Sequence, residues 1–315
     1  KFIIDFTSKN LDVDLKSIKK AARKGIEKEL IKRVDIIVKE KNLSIDSENK
    51  IIWKNNPIAK IRKGENYLAP EIEIIADDAL PLDGKKKLEQ CLKNWVSTHV
   101  NEVLGDLINL TKIKIENQYL RALAYQLYEN NGVLKRKNIE EIINLISKEE
   151  RKKLWNMGVK IGRYHVFLPR MLKPKAVMLR TTLWKVYNNI FSNLNIPKFG
   201  LNFVINENFN DKFLLLCGFE RFKDFFVRID ILEKLFLNII DKTVHRKFKI
   251  TPDMMNLLGC TKENFYILVG LMNYKKSKDT DVYYFSGDDK KNKEKITLSK
   301  KKINPFNKLL ELNIK

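Results

Sequence analysis

The chain has 315 residues, and its 61 Lys and Arg against 39 Asp and Glu give a formal net charge of +22. This length predicts about two domains, and a hydrophobic fraction of 44% is enough for sizeable cores, which excludes wholesale disorder. No apolar run reaches the roughly 18–20 residues of a membrane span, and no secretion signal opens the chain. The three cysteines are odd in number and far apart, which favours a reducing, cytoplasmic setting over a disulfide framework.

The front of the chain, residues 1–82, predicts a small α+β unit. Its predicted elements are a strand at 1–6, a helix at 14–40, a hairpin at 50–61 and a strand at 71–76. Apolar residues near helical spacing indicate the helix. Two apolar runs on either side of Asn55, Asn56 and Pro57 indicate the hairpin, with those three residues as its turn.

Residues 83–200 predict a helical region. The predicted helices cover about 84–109, 117–131, 138–146, 148–157 and 174–191. Gly132 is the expected left-handed residue after the second of these helices. Ser147 and Glu150 have the spacing of a capping box. The Asn-rich segment 192–210 is the predicted boundary to the next domain.

Positive charge is concentrated in this helical region. Residues 151–200 contain eleven Lys and Arg and no Asp or Glu. An AT-rich genome would enrich Lys and so account for part of the charge, but it would also supply acids. An acid-free stretch of this length therefore favours a polyanionic partner, most often nucleic acid. An anionic membrane surface is the competitor, and the sequence lacks a basic amphipathic helix with an aromatic face to support it.

A basic segment, residues 163–175, and the helix after it carry the candidate nucleic-acid contacts. The candidates are Arg163, Tyr164, His165, Arg170, Lys173, Lys175, Arg180 and Lys185. Cations would neutralise phosphates, and exposed rings would stack on unpaired bases, which favours single-stranded RNA or DNA. The alternative is that Phe167, Trp184 and Tyr187 belong to the core while the cations form a solvated face.

Residues 205–285 predict a winged-helix-like domain. Strand, helix, strand, two helices and a hairpin follow one another, which is close to the order of a helix-turn-helix with a β wing. The expected recognition helix, 262–273, is mostly apolar and poorly suited to reading base edges. Lys275, Lys276 and Lys278 of the wing are better suited to phosphates. Residues 286–315 are predicted as a Lys-rich linker and a terminal segment.

No catalytic motif is present in the sequence. There is no phosphate-binding P-loop, no dinucleotide-binding glycine pattern and no zinc-protease motif, and the three histidines lie far apart. The fold class predicted from the whole chain is mainly α with small β elements.

Five short motifs follow one another in the order of a known family. They are Pro57–Ile61, Gly158–Gly162 with Leu168–Pro174, Val227–Glu233, Thr251–Cys260 and Pro305–Leu309. Together they resemble the C-terminal half of alphaproteobacterial superfamily-two helicases of the DExH type, which are similar to the mitochondrial degradosome helicase. The resemblance covers most of the chain, although the linker at 286–303 is richer in Lys than in that family.

The resemblance implies a nucleic-acid-binding accessory region of an ATP-dependent RNA or DNA helicase of bacterial origin. The motor domains would lie upstream as a partner, so ATP and magnesium are expected there and no cofactor is expected in this chain. Only the basic segment carries over residue by residue. Two alternatives remain: a stand-alone, non-enzymatic winged-helix nucleic-acid-binding protein, and an interaction scaffold whose charge reflects genome composition.

Overall fold

A computed structural model describes residues 15–40, 42–75, 80–112, 117–190, 194–205, 210–277 and 282–286. The chain forms two compact units. The first runs to Ile196 and includes Lys212–Gly218, and the second comprises Pro197–Asp211 and the chain from Phe219 onward. The segments predicted as an N-terminal unit and a separate helical region thus belong to one unit. The predicted strand at 1–6 and the linker at 286–315 lie outside the described residues, apart from Ser286.

The first unit begins with a long helix and a four-stranded antiparallel sheet. Its elements are α1 (Leu15–Glu40), β1 (Leu43–Ile45), β2 (Lys50–Trp53), β3 (Asn56–Asn66) and β4 (Ala69–Ile74), and the strand order is β1-β2-β3-β4. The predicted hairpin is present, but its turn is Lys54 and Asn55, both with positive φ. Pro57 lies within β3 opposite Ile52. The predicted turn at Asn55, Asn56 and Pro57 was therefore displaced by one to two residues, because a two-residue turn with positive φ suits the strand twist.

The rest of the first unit is mostly helical. Its elements are α2 (Leu82–Lys112), α3 (Gln118–Glu129), β5 (Val133–Lys135), α4 (Glu140–Leu145), α5 (Lys148–Asn156), β6 (Lys160–Ile161), β7 (His165–Phe167), α6 (Pro174–Tyr187) and α7 (Asp211–Leu216). The three short strands form a sheet in the order β5-β7-β6. Short 3-10 helices occupy Arg136–Ile139 and Pro169–Leu172. The basic segment therefore contains a strand and a 3-10 helix.

One apolar core holds the first unit together. A row of α2 side chains at a spacing of four residues is buried, namely Leu88, Leu92, Val96, Val100 and Leu104. Residues of the sheet such as Ile51 and Ile61, and of α3 such as Leu123, are buried in the same cluster. Because one face of a helix repeats every three to four residues, this row makes α2 the central element of the core.

Local hydrogen bonds end the helices as their sequences predict, with small shifts. The Ser147 and Glu150 capping box is confirmed, with both side chains bonded to backbone N–H groups. At the end of α3 both Asn131, at φ 55°, and Gly132, at φ 84°, have positive φ, and Asn131 comes first. The Gly132 N–H donates to Leu127 O at 2.7 Å and the Asn131 N–H to Tyr128 O at 3.0 Å. This Schellman arrangement places Gly132 one position later than predicted.

The described residues of the second unit form two three-stranded antiparallel sheets and three helices. Its elements are β8 (Phe203–Ile205), β9 (Phe219–Phe222), β10 (Phe225–Arg228), α8 (Ile229–Asp241), β11 (Lys247–Phe248), α9 (Pro252–Leu258), α10 (Lys262–Leu271), β12 (Tyr274–Lys276) and β13 (Tyr283–Phe285). The sheets have the orders β8-β10-β9 and β11-β13-β12. Strand β8 lies within the segment predicted as an irregular boundary. The predicted wing turn at 278–280 lies outside the described residues.

Two helix starts in the second unit agree with the sequence and one does not. Thr251 precedes α9 with Pro252 at its first turn, and the Thr261 hydroxyl accepts from Asn264 N ahead of α10. The spacing of Asp230 and Glu233 in the sequence predicts a cap for α8 as well, and that prediction is wrong, because the helix starts after Arg228.

Candidate nucleic-acid interface

Four cations of the basic segment are exposed to solvent: Arg163, Arg170, Lys173 and Lys175. Arg163 lies in the turn between β6 and β7. The Gly162 N–H donates to His165 O at 2.7 Å, which closes this turn. Arg136 donates from Nη1 to Gly162 O at 2.8 Å and from its backbone N–H to Tyr164 O at 2.8 Å. The turn that presents Arg163 is therefore held in place by a second cation that the sequence did not single out.

Arg170 forms an ion pair with an acid on α2. Its Nη1 lies 3.0 Å from Asp106 Oδ1, and the Arg170 side chain is 72% exposed while that of Asp106 is 20% exposed. Exposed ion pairs contribute little to stability, so this guanidinium stays accessible to a competing anion. Asp106 was not found from the sequence, because the two residues are separated by 64 positions and no local pattern links them.

Lys175 lies at a cleft between the edge strand β1 and the outer face of α6. The cleft has a volume of about 630 Å³, and its lining includes Leu43, Ile45, His99, Lys175, Met178 and Lys185. The His99 ring stacks on Trp95, with centroids 5.2 Å apart. Partial burial lowers the pKa of His99, nearby Glu102 opposes this effect, and the positive charge of Lys175 adds to it. At neutral pH the imidazole therefore adds no positive charge to the cleft.

The predictions for three of the contacts are wrong or incomplete: two of the side chains face inward, and the third is engaged within the protein. His165 and Arg180 are buried, at 2% and 0% exposure. Lys185 is half-buried, and its Nζ donates to Leu194 O at 2.5 Å while lying over the Phe213 ring. Burial lowers the pKa of Lys185. His165 and Arg180 are therefore out of reach of a phosphate at the surface, and the Lys185 ammonium at the wall of the cleft is already bonded to Leu194 O.

The rings of this region divide between core and half-buried positions. Phe167 is fully in the core, in agreement with the alternative that the sequence left open. Tyr164, Trp184 and Tyr187 are half-buried. Trp184 packs against Phe213 with centroids 6.0 Å apart. The rings thus mainly support the fold, and the exposed groups of the basic segment are cations.

Arg180 has a structural role that the sequence analysis missed. Its Nη2 donates to Met171 O at 2.6 Å and to Leu216 O at 2.8 Å, and its Nη1 donates to Asn131 O. Burial lowers its pKa to about 10, so the side chain remains charged at neutral pH. The signal for this role was its position: Val177 and Leu183, three residues away on either side, are buried on the same helix face.

The second unit presents two of the predicted wing contacts. Lys275 and Lys276 are exposed on β12. Lys278 lies outside the described residues. The preceding helix α10 exposes one cation, Lys262, and buries Phe265, Leu268 and Val269. This helix therefore offers little polar surface for base edges.

Within the ranges that the structure describes, no group of three or more His, Cys, Asp or Glu side chains is arranged to hold a metal ion. None of the helices in those ranges has both the length and the apolar character needed to cross a bilayer. Comparison with protein-family models, with curated proteins and with solved structures finds no match for this chain.

Proposed function

We propose that this chain binds the backbone of single-stranded nucleic acid through the exposed cations of the basic segment. The supporting observation is that Arg163, Arg170, Lys173 and Lys175 are all exposed within a 50-residue stretch that contains no acid. Counterion release from phosphates would supply the affinity, and phosphate contacts carry no sequence information. Binding with little sequence preference is therefore expected.

The second unit fits a winged-helix-like role in the same proposal. Helix α8, strand β11, helices α9 and α10, and strands β12 and β13 follow in the winged-helix order, with β13 between the other two strands. Lys275 and Lys276 would contact phosphates, while the apolar α10 would support packing instead of base readout.

The larger protein in this proposal is an ATP-dependent helicase, whose motor would precede this chain. The assignment to a helicase rests on the sequence resemblance. One observation separates it from the stand-alone alternative. A P-loop encoded in frame before Lys1 would support the helicase assignment, and its absence would favour a stand-alone binding protein. The isolated chain is expected to show no ATP hydrolysis with or without RNA, and activity that survives repurification would contradict this assignment of roles.

A salt titration tests the binding site. Four contacts to a single strand would make log K fall against log salt with a slope of about −3, at roughly −0.7 for each contact. Replacing Arg163, Arg170 and Lys173 together by Gln should flatten the slope by about two. The matched control replaces the exposed Lys86, Lys234 and Lys249 by Gln, which removes the same charge outside the acid-free stretch 151–200.

The control variant should keep the parent's slope if the basic segment is the site. Equal binding by the parent and the basic-segment variant at every salt concentration would overturn the proposal and favour an interaction scaffold. Unfolding of that variant, checked by circular dichroism, would instead show that these residues are structural.

A further inference from the structure

The side chains near the start of α1, described from Lys20 onward, are exposed or half-buried. None of the side chains from Lys20 to Arg33 is buried, and Val34 is the first buried residue of the helix among those described. The helix joins the core through Val34 and Ile37, whose exposures are 4% each, and the half-buried Leu30 and Val38 pack against the same core. The described helix from Lys20 to Glu29, about three turns, therefore carries no buried side chain and precedes the residues that pack on the core.

Four lysines form a row along this part of the helix: Lys20, Lys24, Lys28 and Lys32. All four are exposed, and each is four residues from the next. Side chains at this spacing lie on one ridge of a helix. With a rise of about 1.5 Å per residue, neighbours are separated by about 6 Å and the row is about 18 Å long.

The acids of α1 are engaged by other cations. Glu27 pairs with Arg23 at 3.9 Å and Glu29 with Arg33 at 3.3 Å. Farther along, Asp35 pairs with Lys87 at 2.7 Å and Glu40 with Lys54 at 3.1 Å. Within the described ranges, no acid lies at ion-pair distance from any of the four lysines. The row is thus a run of uncompensated like charges, an arrangement that weakens an isolated helix.

The composition of α1 indicates which polyanion would suit the row. The helix contains no Phe, Trp or Tyr, so it offers no platform for stacking unpaired bases. A duplex carries about one negative charge per 1.7 Å of axis, which amounts to roughly ten charges over the length of the row. A straight row of ammonium groups would neutralise such charges without contacting the bases.

We propose that the lysine row of α1 (Lys20, Lys24, Lys28 and Lys32) binds the phosphate backbone of duplex nucleic acid. This surface is distinct from the basic segment, and the inference does not depend on single-strand binding there. The two surfaces would let one unit contact paired and unpaired parts of the same molecule.

The experiment replaces the four lysines by Gln and measures binding of a blunt duplex between 50 and 200 mM salt. Four contacts at about −0.9 each contribute a slope of about −3.6, which corresponds to roughly a 150-fold loss of affinity over this range. The variant should lose most of that salt dependence. Changing the same four lysines to Arg should retain it, because phosphate neutralisation needs only the charge. Gln and Lys have similar helix propensity, so helicity should be unchanged.

A matched control replaces Lys86, Lys198, Lys234 and Lys249 by Gln, and it should bind the duplex as the parent does at each salt concentration. Loss of affinity in both quadruple variants to the same extent would overturn the proposal in favour of a general charge effect. Unchanged duplex binding by the α1 variant would overturn it outright. If that variant keeps duplex binding but loses binding to vesicles of anionic lipid, the row contacts a membrane surface instead.

The proposed function can fail independently of this inference. Single-strand binding by the α1 variant should persist at low salt through the basic segment. Conversely, the Gln variant of Arg163, Arg170 and Lys173 should keep the duplex salt dependence that belongs to the row. Loss of duplex salt dependence in that triple variant, with the row intact, would contradict the proposed role of the row.

Discussion

The Nη2 nitrogen of Arg180 lies 2.8 Å from the carbonyl oxygen of Leu216, so a residue in the middle of α6 holds the end of α7. The same nitrogen donates to Met171 O at 2.6 Å, and Nη1 donates to Asn131 O after α3. None of these acceptors is a carboxylate. A single buried guanidinium therefore satisfies the carbonyls of three separate segments, a task for which its fork of fixed donors is well suited.

Replacing Arg180 by Met should lower the free energy of unfolding by about 3 kcal/mol or more. The apolar stem would be retained, but three carbonyls would lose their donor, and a buried unsatisfied polar group costs about 1–3 kcal/mol. Arg180→Lys should also be destabilising, because a single ammonium group cannot reproduce the planar fork. Urea denaturation measures both effects.

Arg170→Met is the control, since that side chain is exposed and its ion pair should contribute less than about 1 kcal/mol. An Arg180→Met variant as stable as the parent would show that backbone shifts or water can satisfy the three carbonyls.

Short-range features of the fold were predictable from the sequence because their causes lie within a few residues. The Ser147 and Glu150 capping box and the Thr261 cap each depend on a spacing of three residues. The helix predicted at 14–40 agrees with α1 at Leu15–Glu40 because its apolar residues repeat along one face.

Features that depend on distant partners or on competition between neighbours were not predictable. Asp230 has the composition of a cap, yet its carboxylate accepts from Arg228 Nε at 2.7 Å and Nη2 at 2.8 Å, and α8 starts earlier. Arg180 counted as a surface cation because its acceptors are up to 49 residues away. A charged residue carries no sequence signal for burial unless the burial of its helix face is considered.

Gly64→Ala should destabilise the first unit by about 1–3 kcal/mol, the usual range for overpacking. Gly64 lies in β3 where the register with β4 shifts, and a Cβ atom there would collide with the backbone carbonyl oxygen of Ala69. A backbone clash is not relieved by a change of rotamer. Thermal denaturation provides the measurement.

The comparison for that variant is Gly25→Ala in α1, where an added Cβ meets no atom within 4 Å. This change should raise the helix stability by about 0.5–1 kcal/mol, because Gly is a poorer helix former than Ala. If both variants change the stability in the same direction, the close approach of β4 to Gly64 does not determine the effect of Gly64→Ala.

The free energy of unfolding should decrease as the pH falls from 7.5 to 5.5, with His99 contributing. Partial burial, assisted by Lys175, lowers its pKa in the folded state below the usual 6.5. The unfolded state then binds a proton at higher pH than the folded state, so acidification favours unfolding. The contribution is complete above pH 6.5 and is lost as the pH falls through 6.5 toward the lower folded-state pKa.

His99→Phe should reduce this pH dependence while keeping a flat ring against Trp95. Lys175→Gln should reduce it in part, since one of the charges that lowers the pKa is removed. An NMR titration of His99 measures the pKa directly, and a value at or above 6.5 in the folded protein would contradict the prediction.

Asp106→Asn should tighten the binding of single-stranded nucleic acid and make its salt dependence steeper. The Asp106 carboxylate lies 3.0 Å from Arg170 and competes with a phosphate for that guanidinium. The amide keeps the shape of the side chain and removes the negative charge, so Arg170 would neutralise a phosphate without first losing an ion pair.

One contact that becomes fully effective should add up to about 0.7 to the magnitude of the slope of log K against log salt. Stability should change by less than about 1 kcal/mol, because the Arg170 side chain of the pair is 72% exposed and the amide fills the place of the carboxylate. The control is Asp211→Asn, which removes an equal charge from the exposed pair with Arg221 and should leave the slope unchanged. Weaker binding by Asp106→Asn would show that Asp106 positions Arg170 for the phosphate, and an equal gain in both variants would show that the overall charge of the chain determines the affinity.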